Sequence, residues 1–163
     1  MEPLERRQLT AILFADIVGY TALMQSNEKQ ALDHLQKFKI ALEKSVPTNN
    51  GKIIQYYGDA CLATFSSAAE ATQCALSIQT VFQTEPKVPV RIGLHSGEVV
   101  FKEGNVFGDA VNIASRIESM GIPGSILLSS SIRNQIKNKT EFKLASLGKF
   151  EFKNVEDAMT IFA

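Results

Sequence analysis

The sequence predicts an α+β fold, a ferredoxin-like βαββαβ sandwich with a C-terminal α/β extension. Short apolar, β-branched runs alternate with longer stretches whose apolar residues recur every three and four positions. Clusters of Pro, Asn and Gly fall between them, where strands and helices end. The chain has 163 residues, enough for one domain with a real core.

The apolar run 9–15 reads as a buried first strand that ends on Asp16. A helical pattern follows over about 19–46. Its second part places Ala31, Leu35, Phe38, Leu42 and Val46 on one face, and Pro47 with Asn49-Asn50-Gly51 stops it. Residues 52–56 and 61–65 form a hairpin with Gly58-Asp59 at its tip. Ser67-Ala68-Ala69-Glu70 has the form of a capping box, and Ala71, Ala75, Ile78 and Phe82 make the inward stripe of the helix behind it. Residues 90–94 are a strand that continues through Ser96-Gly97 toward Phe101, and the turn 102–105 makes a second hairpin. A third helix spans about 108–120 with Ala110, Val111, Ala114 and Ile117 inward, stopped by Gly121-Ile122-Pro123-Gly124. Residues 126–128 form a short strand and 130–137 a short helix. Residues 142–152 and 159–162 are late strands. Residues 1–7 read as a charged lead-in, and 8–163 as the domain.

Lysine plus arginine balance aspartate plus glutamate, so the formal net charge is zero. That argues against a nucleic-acid groove or an anionic membrane surface as partner. A polyanionic substrate would have to be held locally. Cys61 and Cys74 fit reduced, buried side chains better than a disulfide or zinc site. No apolar stretch is long enough to span a bilayer and the N-terminus lacks a signal-peptide pattern, so a cytoplasmic setting is expected, including as the cytoplasmic domain of a larger signalling protein.

Two aspartates carry the chemistry. Asp16 lies in Phe14-Ala15-Asp16-Ile17-Val18-Gly19-Tyr20-Thr21, and Asp59 in Tyr57-Gly58-Asp59-Ala60. A strand end and a hairpin tip can bring two carboxylates together while the strands between them stay packed. Two such oxygens suit Mg²⁺ or Mn²⁺, which points to phosphoryl chemistry on a nucleotide. Taken singly, each aspartate also suits a helix cap or a turn. Asn112 and Arg116, four apart, share one face of the third helix. Arg116 brings a permanent charge and a planar fork suited to phosphate. Lys153 is a further phosphate contact in prospect, though a lysine there also suits a plain surface.

Together with Arg91-Ile92-Gly93-Leu94-His95-Ser96-Gly97 and the stretch from Phe107-Gly108-Asp109 to Arg116, these frames resemble the catalytic domain of class III adenylyl and guanylyl cyclases. The resemblance implies that Asp16, Asp59 and the backbone carbonyl of Ile17 hold two divalent ions, Mg²⁺ or Mn²⁺. It implies that Asn112 positions the ribose and Arg116 stabilises the pentavalent transition state. Lys153 matches a late triphosphate-binding lysine, although Asn154 stands where a glycine is usual. Gly19, Tyr20 and Thr21 would cradle phosphates with their amides. The implied reaction converts ATP to 3′,5′-cyclic AMP and pyrophosphate. The implied active unit is a head-to-tail homodimer whose two sites each draw on both protomers.

Members that use ATP commonly read adenine with a lysine and an aspartate or threonine; those that use GTP tend to carry glutamate and cysteine. This chain has Gln55 and Asn105 at those positions. Each is a carboxamide with a donor end and an acceptor end. If both reverse freely, ATP is expected as the main substrate with incomplete rejection of GTP. A guanylyl cyclase, or an idle cyclase-like module that binds nucleotide and regulates something else, are the alternatives. Diguanylate cyclases and polymerase palms share the paired carboxylates, but Tyr56-Tyr57-Gly58-Asp59-Ala60 lacks the Gly-Gly-Asp/Glu-Glu-Phe signature. His95 is expected to be structural or at a dimer face, and Tyr56 and Tyr57 to serve in packing.

Overall fold

The computed structural model describes residues 5–150 and 159–163. The elements run β1 (Glu5–Ile17), α1 (Tyr20–Ser26), α2 (Glu28–Thr48), β2 (Lys52–Tyr57), β3 (Ala60–Phe65), α3 (Ala68–Phe82) and β4 (Val90–Lys102). The extension adds β5 (Asn105–Phe107), α4 (Asp109–Ser119), β6 (Ile126–Ser129), α5 (Ser130–Ile136), β7 (Ser146–Phe150) and β8 (Met159–Phe162). They form a mixed sheet in the order β2-β3-β1-β4-β6-β8-β7, with β5 paired to β4. The first four strands are the antiparallel ferredoxin-like core. β4 and β6 are parallel because α4 provides the crossover between them. The fold is α+β, as the sequence predicts.

The sequence pattern differs from the structure in three places. The single helix expected over 19–46 is two, because Asn27 leaves helical geometry and caps α2 by accepting from the Gln30 amide at 3.2 Å. β1 begins at Glu5, inside the segment expected as a lead-in. Its early residues pair with the long β4, and Arg7 reaches Glu98 at 3.3 Å. Residues 142–145 are not strand; Phe142 and Leu144 pack against the core instead.

Alternation along β1 decides which side chain meets which layer. Ala11, Leu13 and Ala15 join Phe38, Leu42, Ile78 and Phe82 of α2 and α3 in one core. Ile12 joins Leu62, Val99, Ala110 and Ala114 in a second core, under α4. The sheet is therefore covered on both faces, and the even-numbered residues of β1, Asp16 among them, belong to the α4 face. Cys61 and Cys74 are free and buried. Burial raises both thiols to about 12.

Gly93 sets how closely α4 can sit. A Cβ there would lie 2.7 Å from the Ala114 carbonyl oxygen and 2.7 Å from Glu118 Cα, both backbone atoms of the helix. Gly93→Ala must push α4 off β4, and we expect a loss of about 3 kcal/mol in unfolding free energy, read by urea titration.

Candidate active site

β1 and the β2–β3 turn deliver the two aspartates to one end of the sheet. Asp16 is opposite Ala60 in the β1–β3 register, and the Ile17 amide donates to the Asp59 carbonyl oxygen at 3.1 Å. The Asp59 carboxyl registers the charge of Asp16. Burial and the Asp16 charge raise the Asp59 carboxyl above the ordinary aspartate value, against a lowering backbone hydrogen bond. Both are hard oxygen donors of like charge. Among the described residues no group of three or more His, Cys, Asp or Glu gathers as a metal cluster. Two carboxylates fit a hard divalent cation that takes its other ligands from backbone, water or substrate phosphate.

Arg91 and Glu118 complete this end of the sheet, and the sequence reading missed both in this role. Arg91 faces Asp16 directly across the β1–β4 pair. It donates from Nε to Oδ1 at 3.1 Å and from a terminal nitrogen to Oδ2 at 2.8 Å, a two-pronged grip. Its other terminal nitrogen reaches the Ser119 carbonyl oxygen at 3.2 Å, and Nε also lies 3.2 Å from Glu118 Oε1. The Glu118 side chain is 3% exposed. Burial raises the Glu118 carboxyl strongly, and the adjacent Asp16 adds to the rise. Burial also pushes Asp16 upward, but hydrogen bonds from Arg91 and Glu118 outweigh it and hold Asp16 below the usual value. The two carboxyls are thus pushed apart, Asp16 toward its charged form and Glu118 toward its neutral one. The cross-strand register was the missing signal for Arg91. Glu118 could be found only once the seating of α4 was known.

Asn112 and Arg116 lie on α4, Asn112 exposed and Arg116 half-buried. The ion pairs among the described residues are Arg7–Glu98, Arg91–Asp16 and Arg91–Glu118, so Arg116 takes part in none. Glu118 and Arg116 are two residues apart, which is roughly 200° around an α-helix. Because Glu118 turns into its own chain's Asp16, Arg116 is directed to the other side of α4. Among the described residues no hydrogen bond or ion pair joins Asn112 or Arg116 to Asp16 or Asp59.

Gln55 is exposed on β2. It and Phe14 both pair with Leu62, which puts Gln55 on the α4 face with Asp16. Tyr57, two residues on, is 45% exposed and stacks on Phe14 with centroids 6.1 Å apart. β5 packs close to β2, so Asn105 approaches the same edge. Its Oδ1 accepts from the Val106 amide at 2.8 Å. That corrects the expectation of two reversible amides. Asn105 is held by its oxygen end, and Gln55 makes no side-chain hydrogen bond among the described residues.

Gly19 takes the left-handed conformation (φ 72°) ahead of α1, whose first turn has no side-chain cap. Thr21 is exposed and Tyr20 half-buried. Lys153 and Asn154 lie outside the described residues. His95 is structural: it is buried, its Nδ1 is 2.7 Å from Ser129 Oγ, and burial lowers its pKa to about 4.

The chain matches the family model described as "Adenylate and Guanylate cyclase catalytic domain" over residues 3–163. An adenylate cyclase of Streptomyces coelicolor is 30% identical, over 83% of this chain and 35% of that protein. The solved adenylate/guanylate cyclase/hydrolase from Silicibacter pomeroyi is 32% identical and superposes with a TM-score of 0.86, covering 97% of this chain and 96% of that one. The guanylate cyclase domain of RhGC from Catenaria anguillulae, solved in complex with GTP, is 26% identical with a TM-score of 0.83 and 96% coverage of both chains. The chain spans 27–36% of the length of the curated relatives it matches. With this fold and these two constellations, the chain belongs to the adenylate and guanylate cyclase catalytic domain family.

Proposed function

We propose that this domain converts ATP to 3′,5′-cyclic AMP and pyrophosphate, with some use of GTP, at sites shared between two copies of the chain. One observation carries the reading. Asp16 and Asp59 meet at one end of the sheet, and Arg116 stands roughly 200° around α4 from Glu118, which reaches Arg91 beside Asp16. A second copy supplying Asn112 and Arg116 completes the set, and a two-fold dimer does this twice.

Asp16 and Asp59, with the Ile17 carbonyl, would hold the divalent cations, Mg²⁺ or Mn²⁺. When bound, these supply Lewis-acid activation of the ribose 3′-hydroxyl and charge neutralisation at the phosphates. Asn112 holds the ribose so that its 3′-oxygen faces the α-phosphorus in line. Arg116 donates to the phosphate oxygens as their charge grows. Lys153 and the amides of Gly19, Tyr20 and Thr21 hold the leaving pyrophosphate. Gln55 and Asn105 read the base. A donor fixed at Asn105 is matched by N1 of adenine or O6 of guanine, so neither base is fully rejected. The catalytic unit includes β1 from Glu5, and the greater length of the relatives leaves room for regulatory domains in a longer parent chain. No described helix is long and apolar enough to cross a membrane, and supply of ATP argues for the cytoplasm.

The test is product formation from ATP and from GTP across protein concentrations, with Mg²⁺ or Mn²⁺. Cyclic AMP that rises faster than linearly with protein and disappears in Asp16→Ala is the expected result. Nucleotide binding with no product at any concentration would favour the idle regulatory module. Gln55→Ala and Asn105→Ala should each move the ATP-to-GTP ratio by about tenfold; a ratio unmoved by both removes them from base reading.

A further inference from the structure

We infer that Glu118 is a positioning residue for Asp16: it holds Arg91 in a shared arrangement that leaves the aspartate able to take a cation. The inference rests on the reading of Asp16 as a cation ligand.

A charged guanidinium gripping both oxygens of Asp16 is a rival for any metal there. Unshared, Arg91 would close on Asp16 and keep the cation out. It is not unshared. Nε lies 3.1 Å from Asp16 Oδ1 and 3.2 Å from Glu118 Oε1. A terminal nitrogen is turned away to the Ser119 carbonyl oxygen at 3.2 Å. Glu118 and Ser119 thus form a second seat for the guanidinium, on the last turn of α4. Glu118 Oε1 is buried and has no hydrogen-bond partner among the described residues, so the approach of Arg91 Nε at 3.2 Å is the contact that answers it. Nor can it rotate to solvent, since the side chain is 3% exposed and its backbone is pressed against Gly93 of β4. A buried polar group in a fixed place, aimed at the partner of a candidate ligand, is how outer groups orient and free a metal-binding carboxylate. The same contact ties Asp16 to the helix that carries Asn112 and Arg116 on its other side.

The test separates this from mere packing. Glu118→Gln keeps volume and an oxygen acceptor for Arg91; Glu118→Leu keeps volume and removes the acceptor. Mn²⁺ binding to the nucleotide-free domain is read by electron paramagnetic resonance, beside thermal melts of each variant. Glu118→Leu should weaken Mn²⁺ binding about tenfold or more, and Glu118→Gln should stay within about threefold of wild type. Adding Arg91→Gln to Glu118→Leu should recover Mn²⁺ binding, because the rival charge is gone. Binding by Glu118→Leu equal to wild type overturns the inference, as does equal loss in Leu and Gln variants. Asp16→Asn is the control for the underlying reading. If it binds Mn²⁺ as wild type does, or wild type binds none, the assignment of Asp16 fails and this inference with it.

Discussion

Replacing Arg116 with alanine lowers kcat by about a hundredfold or more while changing KM for the nucleotide by less than about threefold. A guanidinium aimed at charge that appears only in the transition state contributes little to the ground-state complex. Removing it costs roughly 3 kcal/mol or more of barrier, typical of one preorganised donor. The structure makes the substitution clean. Arg116 takes part in none of the ion pairs among the described residues, so its loss should leave the fold and the Asp16 cluster intact. Steady-state kinetics with ATP and Mn²⁺ decide the matter. Equal losses in kcat and in nucleotide affinity would make Arg116 a binding residue instead.

Mixing Asp16→Ala with Arg116→Ala, each nearly inactive alone, restores activity toward about a quarter of the wild-type level at equal, saturating concentrations. Random reassortment makes half of the dimers heterodimers, and each of these has one site with both residues intact. The argument comes from helix geometry. Glu118 occupies the side of α4 that meets the chain's own Asp16, and Arg116 is turned roughly 200° away. Mixtures that form heterodimers, shown by differently tagged chains, yet stay inactive would place the complete site within one chain.

Much of the fold was legible because each layer has its own period. The threes and fours of Ala31, Phe38, Leu42 and Val46, and of Ala71, Ala75, Ile78 and Phe82, can only be helix faces, and all eight are buried. The turn at Gly58-Asp59 was equally plain. Less legible was Asn27, whose capping side chain interrupts a pattern that otherwise continues through it. The apolar run 9–15 predicts a buried Leu9, which is instead 64% exposed because it stands opposite the exposed Glu98.

The candidate site divides along the same line. Short frames in the sequence determined Asp16, Asp59, Asn112 and Arg116 as residues of interest, since their spacing from strand ends and along one helix is a local property. Only the tertiary structure decided what surrounds them. The β1–β4 register set Arg91 opposite Asp16, 75 residues away in the chain. Gly93 let α4 close in far enough for Glu118 to reach both. The Val106 amide fixed an Asn105 that composition alone leaves reversible. Local sequence carries periodicity and caps, whereas the raised carboxyl of Glu118 and the grip on Asp16 depend on burial and on which distant groups the packed sheet brings within a few ångströms.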